Sequence, residues 1–315
     1  MAVKTQFSNR DFNQILSRYE LGTYTHSEPI SQGTVQTNYF LHSTRGKFVF
    51  RYYENRPKKS VYFESDLLVY LTEHQYPCPT PYQNRQGAIV GIYQDKPYMI
   101  MEYIDGKHIN HPAVHHKKQL IQKVAELQIL TRDYHPRYLE YRWNYDIDLC
   151  RKLACAEADK IDTGDARQKY HWLENQLAVL ELPDSLPKGI CHCDFHFSNA
   201  LFKGDQFAGL IDFDDANYTY LIFDLVCLID SWAWPAQSNN LDLMQAREIL
   251  EEYTKHRPLS AIEQRHIFDV HKLSIFFDNV WYFGRGRAND FYEKRKIEFM
   301  NNLGWKKYTD ELFLP

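Results

Sequence analysis

The sequence predicts an α+β fold in two lobes, a small β-rich N-lobe over residues 1–104 and a larger, mainly helical C-lobe over residues 105–315. Three observations predict it. Two β-rich runs, Thr37–His42 and Lys47–Tyr53, flank a turn at Ser43–Gly46 and read as a hairpin. From Lys117 to about Glu181 the apolar residues recur at helical spacing, with Leu120, Val124 and Leu127 on one side. Short apolar runs within Ile190–Ala216 then separate those helices from further helical segments. A chain of 315 residues has room for two such bodies, each with a core.

Composition excludes some function classes. Lys and Arg number 37 against 41 Asp and Glu, a net charge of −4, which argues against nucleic acid as a partner. No run of ~18 apolar residues marks a membrane span, and the opening MAVKTQFSNRDF has no apolar signal core. The expected location is the cytoplasm. The six cysteines include no Cys-x-x-Cys and read as reduced thiols.

The elements follow in order. Ser8 caps a helix to Leu21, with Phe12, Ile15, Leu16 and Tyr19 on its apolar side and Gly22 at its end. Ser31-Gln32-Gly33-Thr34 precedes the hairpin. A small-residue loop there can lay backbone N–H groups over phosphates, although it lacks the Gly-Lys-Ser/Thr of a Walker loop. Arg51 lies near the end of the second hairpin strand, and Glu64 shares a face with Val61, Leu68 and Leu71 of a helix over Val61–Gln75. Arg51 and Glu64 are expected to pair. The run Tyr76–Pro81, YPCPTP, breaks that helix. Ala88–Tyr93 and Pro97–Tyr103 read as paired strands, after which the backbone at Glu102 and Ile104 is expected to face an adenine ring.

His108, His111, His115 and His116 cluster next, with Pro112 interrupting any ligand spacing, and read as loop. Helices are predicted over Asp146–Asp159, Arg167–Leu180, Tyr220–Trp234, Leu241–Lys255 and Ser260–Tyr282, the last opened by a Ser260/Glu263 capping box. Asp224 and Asp230 are the charges inside the apolar helix Tyr220–Trp234. A buried carboxylate needs a partner; Asp224 is expected to anchor the loop before it, and Asp230 with Trp232 to border an acceptor pocket. Arg285 and Arg287 follow the last of these helices, where they contact an acidic group or complement the helix C-terminus.

The chemistry resides in ICHCDFHFSNALFKGDQFAGLIDFDDA, residues 190–216. His192-x-Asp194 is followed by Asn199, and Asp212 stands at the end of the apolar run Phe207–Ile211. Phosphoryl transfer from ATP needs a carboxylate at the attacking hydroxyl and oxygen ligands for Mg2+. Asp212-Phe213-Asp214 stands where a protein kinase has Asp-Phe-Gly. The spacing predicts a bilobal protein-kinase-like fold, with Asp194 at the substrate hydroxyl beside His192, and Asn199 and Asp212 on Mg2+.

The chain resembles the aminoglycoside phosphotransferase/choline kinase-like superfamily, and within it type II homoserine kinases. The residues that carry this are MAVKTQFSNRDFNQILSRYELG, TNYFLHSTRGKFVFRYYENR, YPCPTPYQNRQG, HCDFHFSNALF…GLIDFDDA and RPLSAIEQ, spread over nearly the whole chain. The resemblance implies that Asp194 is the catalytic base, that Asn199 and Asp212 bind magnesium, and that residues 31–38, Asn38 among them, cover the phosphates of ATP. Arg51 occupies the usual Lys position. Asp214, Asp215 and Asp230 add carboxylates on the acceptor side, which suits a small alcohol bearing an amine. An antibiotic kinase, a Ser/Thr protein kinase of the same superfamily and a nucleotide-binding pseudokinase use the same motif.

Overall fold

The computed structural model describes residues 4–31, 33, 35–235 and 238–313. In chain order the first elements are α1 (Asn9–Leu16), β1 (Tyr24–Pro29), β2 (Thr37–Ser43), β3 (Gly46–Tyr52), α2 (Lys58–Glu73), β4 (Gly91–Tyr93) and β5 (Lys96–Glu102). Next come α3 (Val114–Leu130), α4 (Ile147–Ile161), α5 (Gly164–Leu177), β6 (Lys188–Cys191), β7 (Ala200–Lys203), β8 (Gln206–Leu210) and β9 (Asn217–Tyr220). The helices α6 (Phe223–Trp232), α7 (Leu243–Thr254), α8 (Ala261–Trp281) and α9 (Tyr292–Leu312) complete the chain. Among the described residues no helix is long and apolar enough to cross a membrane.

The chain divides into two compact units. The first takes residues up to Asn110 together with Tyr134–Arg142 and Phe197–Asp214; the second takes His111–Asp133, Trp143–His196 and the residues from Asp215 onward. Residues 190–216 are therefore divided, with Phe197–Asp214 in the first unit and the rest in the second.

In the first unit the described strands form an antiparallel sheet in the order β1-β2-β3-β5-β4. Alternation sorts its two faces. Tyr39, Leu41, Phe48 and Phe50 point into a core closed by Phe12, Ile15 and Leu16 of α1, each no more than 1% exposed. Burying each of those α1 side chains contributes about 1.5–3 kcal/mol. Asn38 and Arg51, on the alternate positions, are opposite one another in the β2–β3 register. α1 opens with a capping box in which Ser8 and Asp11 bond each other's backbone N–H groups. It stops at Leu16, short of Gly22; that glycine turns the chain at φ +84°, where a Cβ would sit 2.6 Å from Thr44 Oγ1. β7 and β8 form a separate hairpin, and Leu210 N–H donates to Pro77 O at 2.8 Å.

In the second unit β6 pairs with β9, and helices pack around α6 and α8. α6 begins at Phe223 and not at Tyr220, because Asn217–Tyr220 is the strand opposite β6. The capping box at Ser260 and Glu263 is present. α9 has no counterpart in the sequence prediction. It is markedly polar and breaks at Gly304, whose φ of 76° and ψ of 153° are not helical. β1 was likewise not predicted: YTHSEP is polar, and only Tyr24 is buried.

Candidate active site

In the first unit the sheet and α2 deliver a charged network. Arg51 Nε donates to Asn38 Oδ1 at 3.1 Å, and Nη1 donates to Asp212 Oδ1 at 2.8 Å. Glu64 of α2 is 1% exposed, with Oε1 3.6 Å from the same Nη1. Burial pushes the Glu64 carboxyl up to about 7 against the pull of Arg51. Burial opposes the charge on Arg51 too, but Asp212 foremost, with Tyr53 and Glu64, holds it well above its ordinary value.

Asp212 reaches this network from the end of β8. Its φ of +69° lies in the left-handed region, which a residue with a Cβ adopts at a cost. Ile211 N–H donates to Asn199 O at 2.8 Å, so the backbone ties Asn199 to the residue just before Asp212. A carboxylate and a carboxamide therefore stand on neighbouring pieces of chain. Both offer oxygen, the donor that Mg2+ takes, so the donor set fits that ion.

Asp214 is also in this unit, and it is 5% exposed. Arg56 grips it with Nε at 2.9 Å and Nη2 at 3.1 Å, and Gln36 Nε2 donates to it at 2.9 Å. Burial alone would raise its pKa; Arg56 and Arg51 outweigh that and keep it below the ordinary value. Arg142 Nη2 donates to the Asp214 carbonyl at 2.6 Å. These bonds correct the expectation that Asp214 faces an acceptor: its carboxylate is committed to holding the turn after Asp212.

In the second unit a different device fixes the loop that carries Asp194. Asp224, in the first turn of α6 and fully buried, accepts the N–H groups of His192 and Cys193, each at 2.8 Å. Burial pushes its carboxyl up to about 6. Cys193 has φ +62°, so the residue just before Asp194 is in the left-handed region. His192 is buried and Asp194 exposed. Asp230 is held by Lys296 Nζ at 2.6 Å, with His271 Nε2 at 3.5 Å. That pairing corrects the expectation that Asp230 borders a pocket, since a carboxylate already matched by an ammonium is structural.

A model of the phosphotransferase enzyme family matches residues 26–259. The chain belongs to that family. A homoserine kinase of Parvibaculum lavamentivorans is 29% identical over 308 residues, covering 96% of this chain and 89% of its own. One from Rhodospirillum rubrum is 32% identical over 266 residues, covering 84% and 81%. Among solved structures, an amicoumacin kinase in complex with AMP-PNP, Ca2+ and Ami superposes with a TM-score of 0.68 at 14% identity, over 97% of this chain and 94% of that one. A spectinomycin phosphotransferase with ADP and spectinomycin gives 0.61 at 12% identity, over 98% and 99%. At such identities these two show the fold alone, the protein-kinase-like fold of a sheet-bearing N-terminal region and a helical C-terminal region. The chain is a kinase.

The remaining positions of this phosphotransferase fall as follows. Ser31 and Gly33 are exposed, and Gly33 has φ +97°; Thr34 lies outside the described residues. Glu102 N–H donates to Thr80 O at 2.8 Å, and Thr80 Oγ1 donates to the Glu102 carboxylate at 2.8 Å. The Ile104 side chain covers Gly209, where a Cβ would meet Ile104 Cδ1 at 2.5 Å. Asp215 is half-buried, in the second unit. Trp232 is half-buried, with Lys117 Nζ 5.5 Å from its ring centroid. Arg285 is exposed, its guanidinium 3.6 Å over the Tyr282 ring. Lys169 serves the chain after α8, donating to the carbonyls of Phe283 and Arg285 at 2.9 Å each. Of the histidine cluster, His108 Nδ1 lies 3.1 Å from Ala200 O, and His116 Nδ1 accepts Ala113 N–H at the start of α3.

Sequence reasoning missed Gln36, Arg56 and Arg142, because nothing local ties them to Asp214. It also missed Asp278 of α8. That carboxylate is half-buried and has no side-chain hydrogen bond among the described residues. Burial first, then Asp230, pushes it up to about 7, and Asp194 adds to the effect.

Proposed function

We propose that this phosphotransferase moves the γ-phosphoryl group of ATP to the hydroxyl of a small, amine-bearing alcohol in the cytoplasm, with L-homoserine as the first candidate. The observation that supports the reading is the bond from Ile211 N–H to Asn199 O, which ties the main chain of Asn199 to the residue before Asp212, itself paired with Arg51. The curated relatives named homoserine kinase, which match 84–96% of this chain, support the acceptor.

Asn199 and Asp212 would hold Mg2+, which supplies charge neutralisation at the phosphates when bound. Arg51 adds a fixed cation, oriented by Asn38 and Glu64. Ser31 and Gly33 offer backbone N–H groups to phosphate oxygens. The Glu102 carbonyl and Ile104 N–H are the adenine contacts. Asp194 orients the acceptor hydroxyl and takes its proton, with His192 bracing the loop. Asp215 and Asp278, with Trp232 and Arg285, take the place of Asp214 and Asp230 as acceptor-side groups: Asp278 shares the pull of Lys296 with Asp230, and an ammonium ion would add positive charge beside it. Rate enhancement then comes mostly from positioning and preorganised charge.

The test is ADP release from Mg-ATP with L-homoserine, choline, ethanolamine, hydroxylysine, methylthioribose and aminoglycosides. Strong stimulation by homoserine alone is the expected result. Stimulation by another member and not by homoserine would replace the acceptor; silence throughout, with ATP still bound, would overturn the small-molecule reading.

A further inference from the structure

Away from this chemistry, on the β1–β2 pair of the first unit, three ligating side chains converge. His26 and His42 are Cα partners across the two strands. Glu28 lies two residues beyond His26, so strand alternation brings it to the same face. His26 Nε2 and His42 Nε2 are each 3.6 Å from Glu28 Oε1, and the three ligand atoms all lie within 4.8 Å of one another. The two imidazoles stack with centroids 4.0 Å apart and planes 11° from parallel.

The contacts around these atoms are compatible with free lone pairs on both imidazoles. His26 Nδ1 lies 3.2 Å from Thr25 Oγ1. A proton on Nδ1, donated to that hydroxyl, leaves Nε2 as a lone pair facing the carboxylate. His42 Nε2 is shielded from solvent and has no hydrogen-bond partner among the described residues. An ionised Glu28 is an acceptor only. In the tautomers that leave both Nε2 atoms unprotonated, three lone-pair donors for a cation face one another. The nearest cation along the sheet, Lys47, is the β3 partner of His42, but its ammonium sits over the rings of Phe40 at 3.8 Å and Tyr103 at 4.1 Å.

We propose that His26, His42 and Glu28 form a three-ligand site for one zinc-class divalent cation, separate from the magnesium used in phosphoryl transfer. Two imidazole nitrogens with one carboxylate select a borderline ion such as Zn2+ over Mg2+ or Ca2+, which prefer all-oxygen sets. Ligands ~2.0–2.2 Å from zinc in tetrahedral array stand about 3.3–3.5 Å apart, so both nitrogen–carboxylate spacings of 3.6 Å are nearly there already. Binding then needs the stacked rings to tilt so that both Nε2 lone pairs aim at one point. Entry is open, with the His26 and Glu28 side chains 59% and 55% exposed. β1 is an edge strand, and the ion would clip it to β2.

The experiment is a calorimetric titration of the full chain with ZnCl2, for the wild type and the variants His26→Gln, His42→Gln and Glu28→Gln, each checked for fold by circular dichroism. Wild type should bind one zinc ion more than either histidine variant, or bind it at least tenfold more tightly, and Glu28→Gln should weaken it. Equal stoichiometry and affinity in the double variant His26→Gln/His42→Gln would overturn the site, as would a wild type that binds no zinc. Co2+ substituted into the wild type gives a second readout independent of variant folding. Tetrahedral d–d bands without thiolate charge transfer support the imidazole–carboxylate set, and thiolate charge transfer would assign the metal to cysteine and refute it.

Discussion

The two units hold their reactive groups by opposite means. In the first, side-chain charges hold one another: Arg51 bridges Asn38, Asp212 and Glu64, while Arg56 and Gln36 grip Asp214. In the second, one buried carboxylate, Asp224, holds the backbone just before Asp194 through the N–H groups of His192 and Cys193. The difference suits the tasks. A site for polyphosphate and metal must keep fixed charge in place, and a network of paired ions does that. On the proposed mechanism Asp194 receives a proton and must stay accessible; its loop is fixed from behind through main chain and Asp194 is exposed.

Substitutions can break this contrast. The largest effect is expected at Asp194: Asp194→Ala should lower turnover by about 10²–10⁴-fold while calorimetry still registers Mg-ATP. Retention of full turnover would remove Asp194 from the mechanism. Next comes the ion-pair side. Arg56→Met leaves Asp214 buried without its bidentate partner and should cost about 3–5 kcal/mol in urea unfolding. The double variant Arg56→Met/Asp214→Leu should recover most of that; no recovery would mean that Asp214 is held chiefly by other groups.

Asp224→Asn is expected to have a smaller effect, about 1–3 kcal/mol, because the carboxamide accepts one N–H and turns a donor toward the other. Its activity should fall through kcat with little change in nucleotide affinity, which sharpens the separation between the two anchoring modes. The smallest effect is pH-dependent. Glu64 ionises near pH 7 in the fold against an ordinary 4.5, and Asp224 near 6 against 3.8. Folded values raised above unfolded ones mean that this contribution is full below pH ~4 and is lost as pH rises through 6 to 7. Glu64→Gln should therefore flatten the fall in thermal midpoint across that window. A slope that is unchanged would show that the Arg51 pairing keeps Glu64 ionised throughout.

Much of this was legible in sequence where the signal is local. The β2–β3 hairpin follows from alternation and its turn, and the α8 cap follows from Ser260 with Glu263 three residues on. The anchoring role of Asp224 was also readable, because a lone charge inside an apolar helix must find partners. The strand β1 and the helix α9 were not: both are largely polar, so neither shows a clear apolar period. β9 is four residues long and exists only because β6 pairs with it.

The sequence by itself determined the order of the candidate catalytic groups, the family and the types of the strongly patterned elements, since these depend on residue identity and on spacings of a few positions. Tertiary structure alone decided which distant cations Asp214 and Asp230 pair with. Asp214 and Asp230 read as acceptor-side charges until Arg56, 158 positions away, and Lys296, 66 positions away, were found on them. Ion pairing acts through space at under 3 Å for these two pairs, and a linear pattern carries no record of which distant cation the folded chain brings there.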